Sequence, residues 1–194
     1  MLNYRRKYYE KKLKILAIDN SPDGSIIDSR AFGDIWTGID PEHVLRFATS
    51  AELIEKLKNK IKNYDSEGEC GQCIKKLTIV AHGWEATGYI AEVAVTHSIL
   101  TAPPMLRQRD VIKVLDDIKG LLCRDATINF AMCYTGDGEE GDKLGQALAN
   151  YFDSAIVLQQ GQRSSILVYS IWNIFYKYPF KIKFFTPIGK NENK

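Results

Sequence analysis

His82 and Cys133 are the residues of this chain whose types and settings could do chemistry together. Each closes a short apolar run. The first reads Leu77-Thr78-Ile79-Val80-Ala81-His82-Gly83, and the second, Ala126-Thr127-Ile128-Asn129-Phe130-Ala131-Met132-Cys133, brings its cysteine 51 residues after the histidine. A thiol is a strong nucleophile once its thiolate is populated, and a neighbouring imidazole can take the proton or stabilise the anion. The same imidazole can then return a proton to a leaving amine. Gly83 is expected to leave room for a substrate carbonyl, and its N–H, with that of Cys133, would form an oxyanion hole.

Such a pair works only if the fold brings two strand ends together. Leu13–Ile18 reads as a first strand ending at Asp19, followed by an Asn20-to-Gly24 turn. Thr49-Ser50-Ala51-Glu52 has capping-box spacing, and Leu53, Ile54, Leu57 and Ile61 then give one apolar face on a helix ending near Tyr64. After the strand that ends at His82, Tyr89–Thr96 suits one strand of a small hairpin. Thr101–Pro104 is a break, and Val111, Val114, Leu115 and Ile118 mark a second helix ending at Gly120. Beyond Cys133, Tyr134–Asp142 reads as a glycine-rich acidic loop. Leu144, Ala147, Leu148, Tyr151 and Phe152 line a third helix, Ala155–Leu158 a strand and Phe180–Phe185 a last strand. This alternation predicts an α/β layer, mainly a parallel sheet with helices on both faces, with ligands beyond the C-terminal strand ends.

Histidine first and cysteine about 50 residues later, each after an apolar strand, with a helix between them and a glycine-bearing loop and helix after, resembles the caspase-like superfamily of cysteine peptidases. The resemblance spans roughly Leu77–Gln160. It implies a caspase-like three-layer sandwich in which His82 is the general acid/base and Cys133 the nucleophile of an endopeptidase acting on a protein or peptide substrate through an acyl-enzyme. It also implies that segments after the next strand wall the substrate cleft, with Gln160, Ser164 and Ser165 as candidates. No cofactor is required, although some members depend on calcium or an anionic activator. The sequence Met132-Cys133-Tyr134-Thr135-Gly136 lacks the signature of true caspases, so the likeness is to the superfamily in its bacterial, clostripain-like and gingipain-like range. The other reading of the same likeness is a catalytically inactive protein-interaction or effector module.

Asp137, within the acidic loop, is the candidate for reading a basic side chain before the scissile bond. Cys70-Gly71-Gln72-Cys73 has the spacing of a dithiol or half a zinc site. It precedes a strand rather than opening a helix and has no second such pair, so incidental loop cysteines are the plainer account. No metal site is expected.

The 194 residues suit one domain, divided as a basic arm over 1–12, a single domain over 13–188 and a polar tail over 189–194. The net charge of +2 does not call for nucleic acid, although side chains from Met1 to Lys14 contribute +5 and leave −3 on the remainder. No apolar run is long enough to span a membrane, and the basic start lacks a following apolar segment. A cytoplasmic location, or secretion by a signal-independent route, is the expectation, with mainly reduced thiols. The oligomeric state is not readable from the sequence.

Overall fold

The computed structural model describes residues 13–20, 43–64, 73–161 and 182–188. Ser164, Ser165 and Cys70, the arm over 1–12 and the polar tail over 189–194 fall outside these residues.

A six-stranded sheet organises the chain, in the order β2-β1-β3-β7-β8-β9. Its members are β1 (Leu13–Asp19), β2 (Val44–Phe47), β3 (Ile74–Val80), β7 (Leu122–Ala131), β8 (Ala155–Gln159) and β9 (Ile182–Phe185). The first five run parallel, and β9 pairs antiparallel to β8 at the edge. Three short strands, β4 (Gly83–Trp84), β5 (Thr87–Ile90) and β6 (Val93–Val95), make a separate antiparallel sheet. The expected small hairpin at Tyr89–Thr96 is its β5–β6 half. Among the described residues the α-helices are α1 (Ser50–Tyr64), α2 (His97–Thr101), α3 (Arg109–Lys119) and α4 (Gly138–Phe152).

Alternation along the strands divides the core in two. Ile15 and Ala17 of β1, Leu77 and Ile79 of β3, Ile128 and Phe130 of β7, and Ile156 and Leu158 of β8 share one cluster with the apolar faces of α1, α3 and α4. Each fully buried side chain of this kind contributes about 1.5–3 kcal/mol. The intervening residues Leu16, Ile18, Val80 and Ala131 form a second, smaller cluster to which the described helices contribute nothing. What stands is a mixed α/β fold with a multi-stranded sheet flanked by helices. Helices on both faces, and a specifically caspase-like sandwich, go beyond it.

Local signals account for the helix that starts this layer. Thr49 Oγ1 accepts the Glu52 N–H at 3.1 Å, while Glu52 Oε2 reaches back to the Ala48 N–H at 2.7 Å. The box thus closes one residue earlier than the standard form. Glu92, in the β5–β6 turn, adds a cap from outside: its carboxylate accepts the Ser50 N–H at 3.1 Å and also the Ser50 hydroxyl. Burial pushes the Glu92 carboxyl up, but the Ser50 hydroxyl and the backbone N–H groups of Glu92 and Ser50 outweigh it and hold the group below its usual range. A depressed folded-state pKa gives stability that is complete above the unfolded value and is lost as pH falls through the folded one. Glu92→Gln is therefore expected to lower stability by about 1 kcal/mol at neutral pH, the size of a lost helix cap. The gap from wild type should close on acidification below the carboxylate range. Urea unfolding at the two pH values checks this, and a gap independent of pH would count against it.

One expected loop is a helix. Glu139, Glu140 and Asp142 belong to the first turns of α4, not to a free acidic loop. Carboxylates there complement the positive end of the helix dipole, and Glu139 and Glu140 both pair with Lys143. Gly141 can hold this place because a Cβ on it would lie 2.4 Å from the backbone of Gly136.

Candidate functional site

The two strands expected to carry the dyad are neighbours. β3 pairs with β7 in register Val80↔Ala131, so His82 and Cys133, each two residues further on, leave adjacent strands at the same level. His82 is exposed and Cys133 half-buried. The next strand ends beside them: Gly136 N–H donates to the Gln159 carbonyl at 2.8 Å, and Tyr134 N–H to the Gly161 carbonyl at 3.0 Å. Asp137 is the N-cap residue of α4, and its Oδ1 accepts the Gly161 N–H at 2.8 Å. This carboxylate ties the β7 and β8 ends together. Gln160 is half-buried in the same turn.

The thiol chemistry expected from the sequence is overturned. Cys73, just before β3, and Cys123, the second residue of β7, form a disulfide with Cα atoms 5.0 Å apart. Neither is then a free catalytic thiol, and the expectation of mainly reduced cysteines fails. Cys73 is also not half of a Cys70–Cys73 dithiol. Cys133, the expected nucleophile, stands outside this disulfide. The room required beside Gly83 is taken, since a Cβ there would lie 2.3 Å from the Cys133 carbonyl oxygen, 2.8 Å from Thr135 Cγ2 and 2.9 Å from Met132 Cβ. With Cys73 and Cys123 joined, the cysteine-peptidase reading, the His–Cys dyad as a mechanism and the assignment as an enzyme fall. Among the described residues no three His, Cys, Asp or Glu side chains gather to hold a metal ion.

What occupies the strand ends instead is aromatic. Trp84 of β4 is 61% exposed and meets the Tyr134 ring edge-on with centroids 5.8 Å apart. Tyr89, on the adjoining β5, is 37% exposed. The turn that presents Trp84 is the two-residue loop Glu85–Ala86, which joins the Trp84↔Thr87 pair. Both its residues have positive φ, 43° and 60°, as the favoured tight hairpin turn demands. Glu85 and Ala86 accept this left-handed conformation without glycine's freedom. Tyr134 does the same at φ 56°, and its carbonyl accepts the Ala86 N–H at 3.1 Å. The two turns are thus joined by a hydrogen bond.

Gln159, 6% exposed at the end of β8, has an Nε2 without a hydrogen-bond partner among the described residues. Trp84 and Tyr89 were not among the candidates read from the sequence, whereas Gln159 opens the segment expected to wall a cleft. The available signal was the tryptophan directly after His82-Gly83, a large apolar residue where the chain leaves the sheet.

No family model matches the chain, and no curated protein or solved structure matches it either.

Proposed function

We propose that this chain is a non-catalytic module of caspase-like design that binds a protein partner through the aromatic surface at the C-terminal strand ends. The observation that carries the reading is Trp84, exposed to 61% yet fixed against Tyr134 by a hydrogen-bonded pair of strained turns. Large aromatic side chains presented rigidly are the usual energetic centres of protein interfaces, because they bury much area and lose little conformational freedom. The six-stranded, mainly parallel sheet and the adjacent ends at His82 and Cys133 support the likeness to the caspase-like group, now as a binding scaffold. The Cys73–Cys123 disulfide suits an oxidising compartment. It favours a location outside the cytoplasm.

The test places a photo-crosslinking amino acid at Trp84 in the full chain, in cells of its source, and then measures binding of the purified partner. Trp84→Ser is expected to weaken that binding by about 30-fold or more, the effect of losing an interface anchor, with the circular dichroism spectrum unchanged. In a peptide-library digest, wild type and Cys133→Ala should give the same null result. A partner indifferent to Trp84→Ser, or cleavage that disappears with Cys133→Ala, would sink the reading.

A further inference from the structure

The small sheet beside the strand ends has a buried side and an open one. Gly83 and Gly88 are a buried cross-strand pair, and Trp84, Thr87 and Tyr89 alternate with them onto the outer face. Trp84 pairs with Thr87, so Tyr89 is its diagonal neighbour, and both rings are exposed. Diagonal neighbours are rooted about 7–8 Å apart. One planar group laid between two rings, touching each at about 3.5–4.0 Å, needs that spacing. Among the described residues no ring contact joins Trp84 to Tyr89, and the indole is braced on Tyr134 instead.

The charge around this pair is one-sided. The two segments that meet here, 82–89 and 133–143, hold Glu85, Asp137, Glu139, Glu140 and Asp142 against Lys143 and His82 alone. Glu139 and Glu140 share Lys143, and Asp142 takes Lys183. Neither Glu85 nor Asp137 joins an ion pair among the described residues. Asp137 is occupied by the Gly161 N–H at 2.8 Å, and its own N–H donates to the Tyr134 carbonyl at 3.2 Å. Glu85 directly follows Trp84 in the tight turn. An uncompensated carboxylate thus stands beside the more exposed ring.

An indole face attracts a cation through its quadrupole, more strongly than the ring of tyrosine or phenylalanine. Of the two common protein cations, the guanidinium of arginine is planar, stacks on aromatic faces and donates in a fork to a carboxylate. The ammonium of lysine is a compact point charge and fills no slot. We infer that Trp84 and Tyr89 receive an arginine side chain of the partner protein between their rings, with Glu85 supplying the opposing charge. The inference rests on the reading of the chain as an interaction module, and it names the chemistry that the aromatic surface selects.

The experiment has two arms, both with the full chain at pH 8. In the first, the indole N–H resonance of Trp84, assigned with a Trp84→Phe variant, is followed during titration with capped Gly-Arg-Gly, Gly-norleucine-Gly and Gly-trimethyllysine-Gly. The arginine peptide is expected to bind about fivefold more tightly than the norleucine peptide, an advantage that Glu85→Gln and Tyr89→Leu each reduce. In the second, a photo-crosslinking amino acid at position 87, beside the slot, captures the partner in cells of its source, and its binding is measured by calorimetry. Glu85→Gln should weaken that binding about threefold, the scale of an exposed charge pair, and Glu85→Arg about tenfold or more. Replacing the partner's arginine at the crosslinked site by glutamate should restore binding to the Glu85→Arg variant.

A partner that is sensitive to Trp84→Ser but indifferent to all three substitutions at Glu85 and Tyr89 would keep the interaction module and overturn the arginine slot. A partner indifferent to Trp84→Ser as well would overturn both. Equal binding of the arginine and norleucine peptides would overturn the slot, with or without a captured partner. Tighter binding of the trimethyllysine peptide would overturn it in favour of a quaternary ammonium site. Uptake onto phosphatidylcholine vesicles that is lost with Trp84→Ser would overturn it in favour of a membrane surface.

Discussion

Replacing Cys73 and Cys123 together by serine is expected to lower the stability of this protein by about 4 kcal/mol, the loop-closure entropy of a crosslink spanning 50 residues. For a chain of this size that corresponds to a fall of roughly 8–16 °C in Tm. The crosslink has a local task as well. Between the pairings Ile74↔Leu122 and Lys76↔Thr127, β3 advances by two residues and β7 by five, so the start of β7 carries three extra residues through an irregular stretch. Such a bulge has few ladder hydrogen bonds of its own. The disulfide ties it to the residue before β3, and the Lys75–Asp125 ion pair crosses the same two strands. Urea unfolding of wild type, of the double variant and of reduced wild type measures the effect. The double variant should also show a larger dependence on denaturant, because its unfolded chain is less compact. A loss below about 1 kcal/mol would mean that the loop-closure account fails for this bridge.

Gly83→Ala is expected to cost about 3 kcal/mol, at the upper end for overpacking in a closed space. Its new methyl would meet the Cys133 carbonyl oxygen at 2.3 Å, and Thr135 and Met132 close the other sides. A backbone oxygen cannot turn aside as a flexible side chain can, so either β4 or the end of β7 must move. Gly88→Ala supplies the contrast. Its nearest neighbour is the Met132 sulfur at 2.9 Å, the far part of a flexible side chain, and a much smaller loss is expected. Thermal unfolding of the two variants separates these cases, and equal stabilities would refute the close-approach account. Because Trp84 follows Gly83 directly, Gly83→Ala should also weaken partner binding in proportion to the shift of β4. The absent side chain at Gly83 makes room for the protein's own backbone.

Much of the layer was legible in the chain because its signals are local. Leu53, Ile54, Leu57 and Ile61 are buried at helical spacing, and the Thr49–Glu52 box sits at the start of α1 as its residue types require. Val111, Val114, Leu115 and Ile118 do the same for α3. Strand limits were less legible where charge interrupts the apolar run. Lys75 and Lys76 precede the recognisable part of β3, and Arg124 and Asp125 hide the start of β7, because cross-strand pairing tolerates polar residues that a single-chain pattern does not favour. The turn after Cys133 looked like a loop because glycine and acidic residues are common to loops and to first helical turns. The packing of Gly141 on Gly136 and the burial of Leu144 and Leu148 accompany the helix, features that no local pattern displays.

The sequence by itself determined the alternation of strands and helices, the mainly parallel sheet and the arrival of His82 and Cys133 at strand ends, since each follows from periodicity within a dozen residues. Tertiary structure alone decided what those ends can do. The pairing of Cys73 with Cys123 depends on two neighbouring strands meeting across 50 residues, which no local pattern specifies. The filling of the space beside Gly83 depends on the path of a carbonyl from another strand. The exposure of Trp84, Met105 and Leu106 depends on which apolar side chains the packed core leaves outside, and that is a property of the assembled layers rather than of any segment.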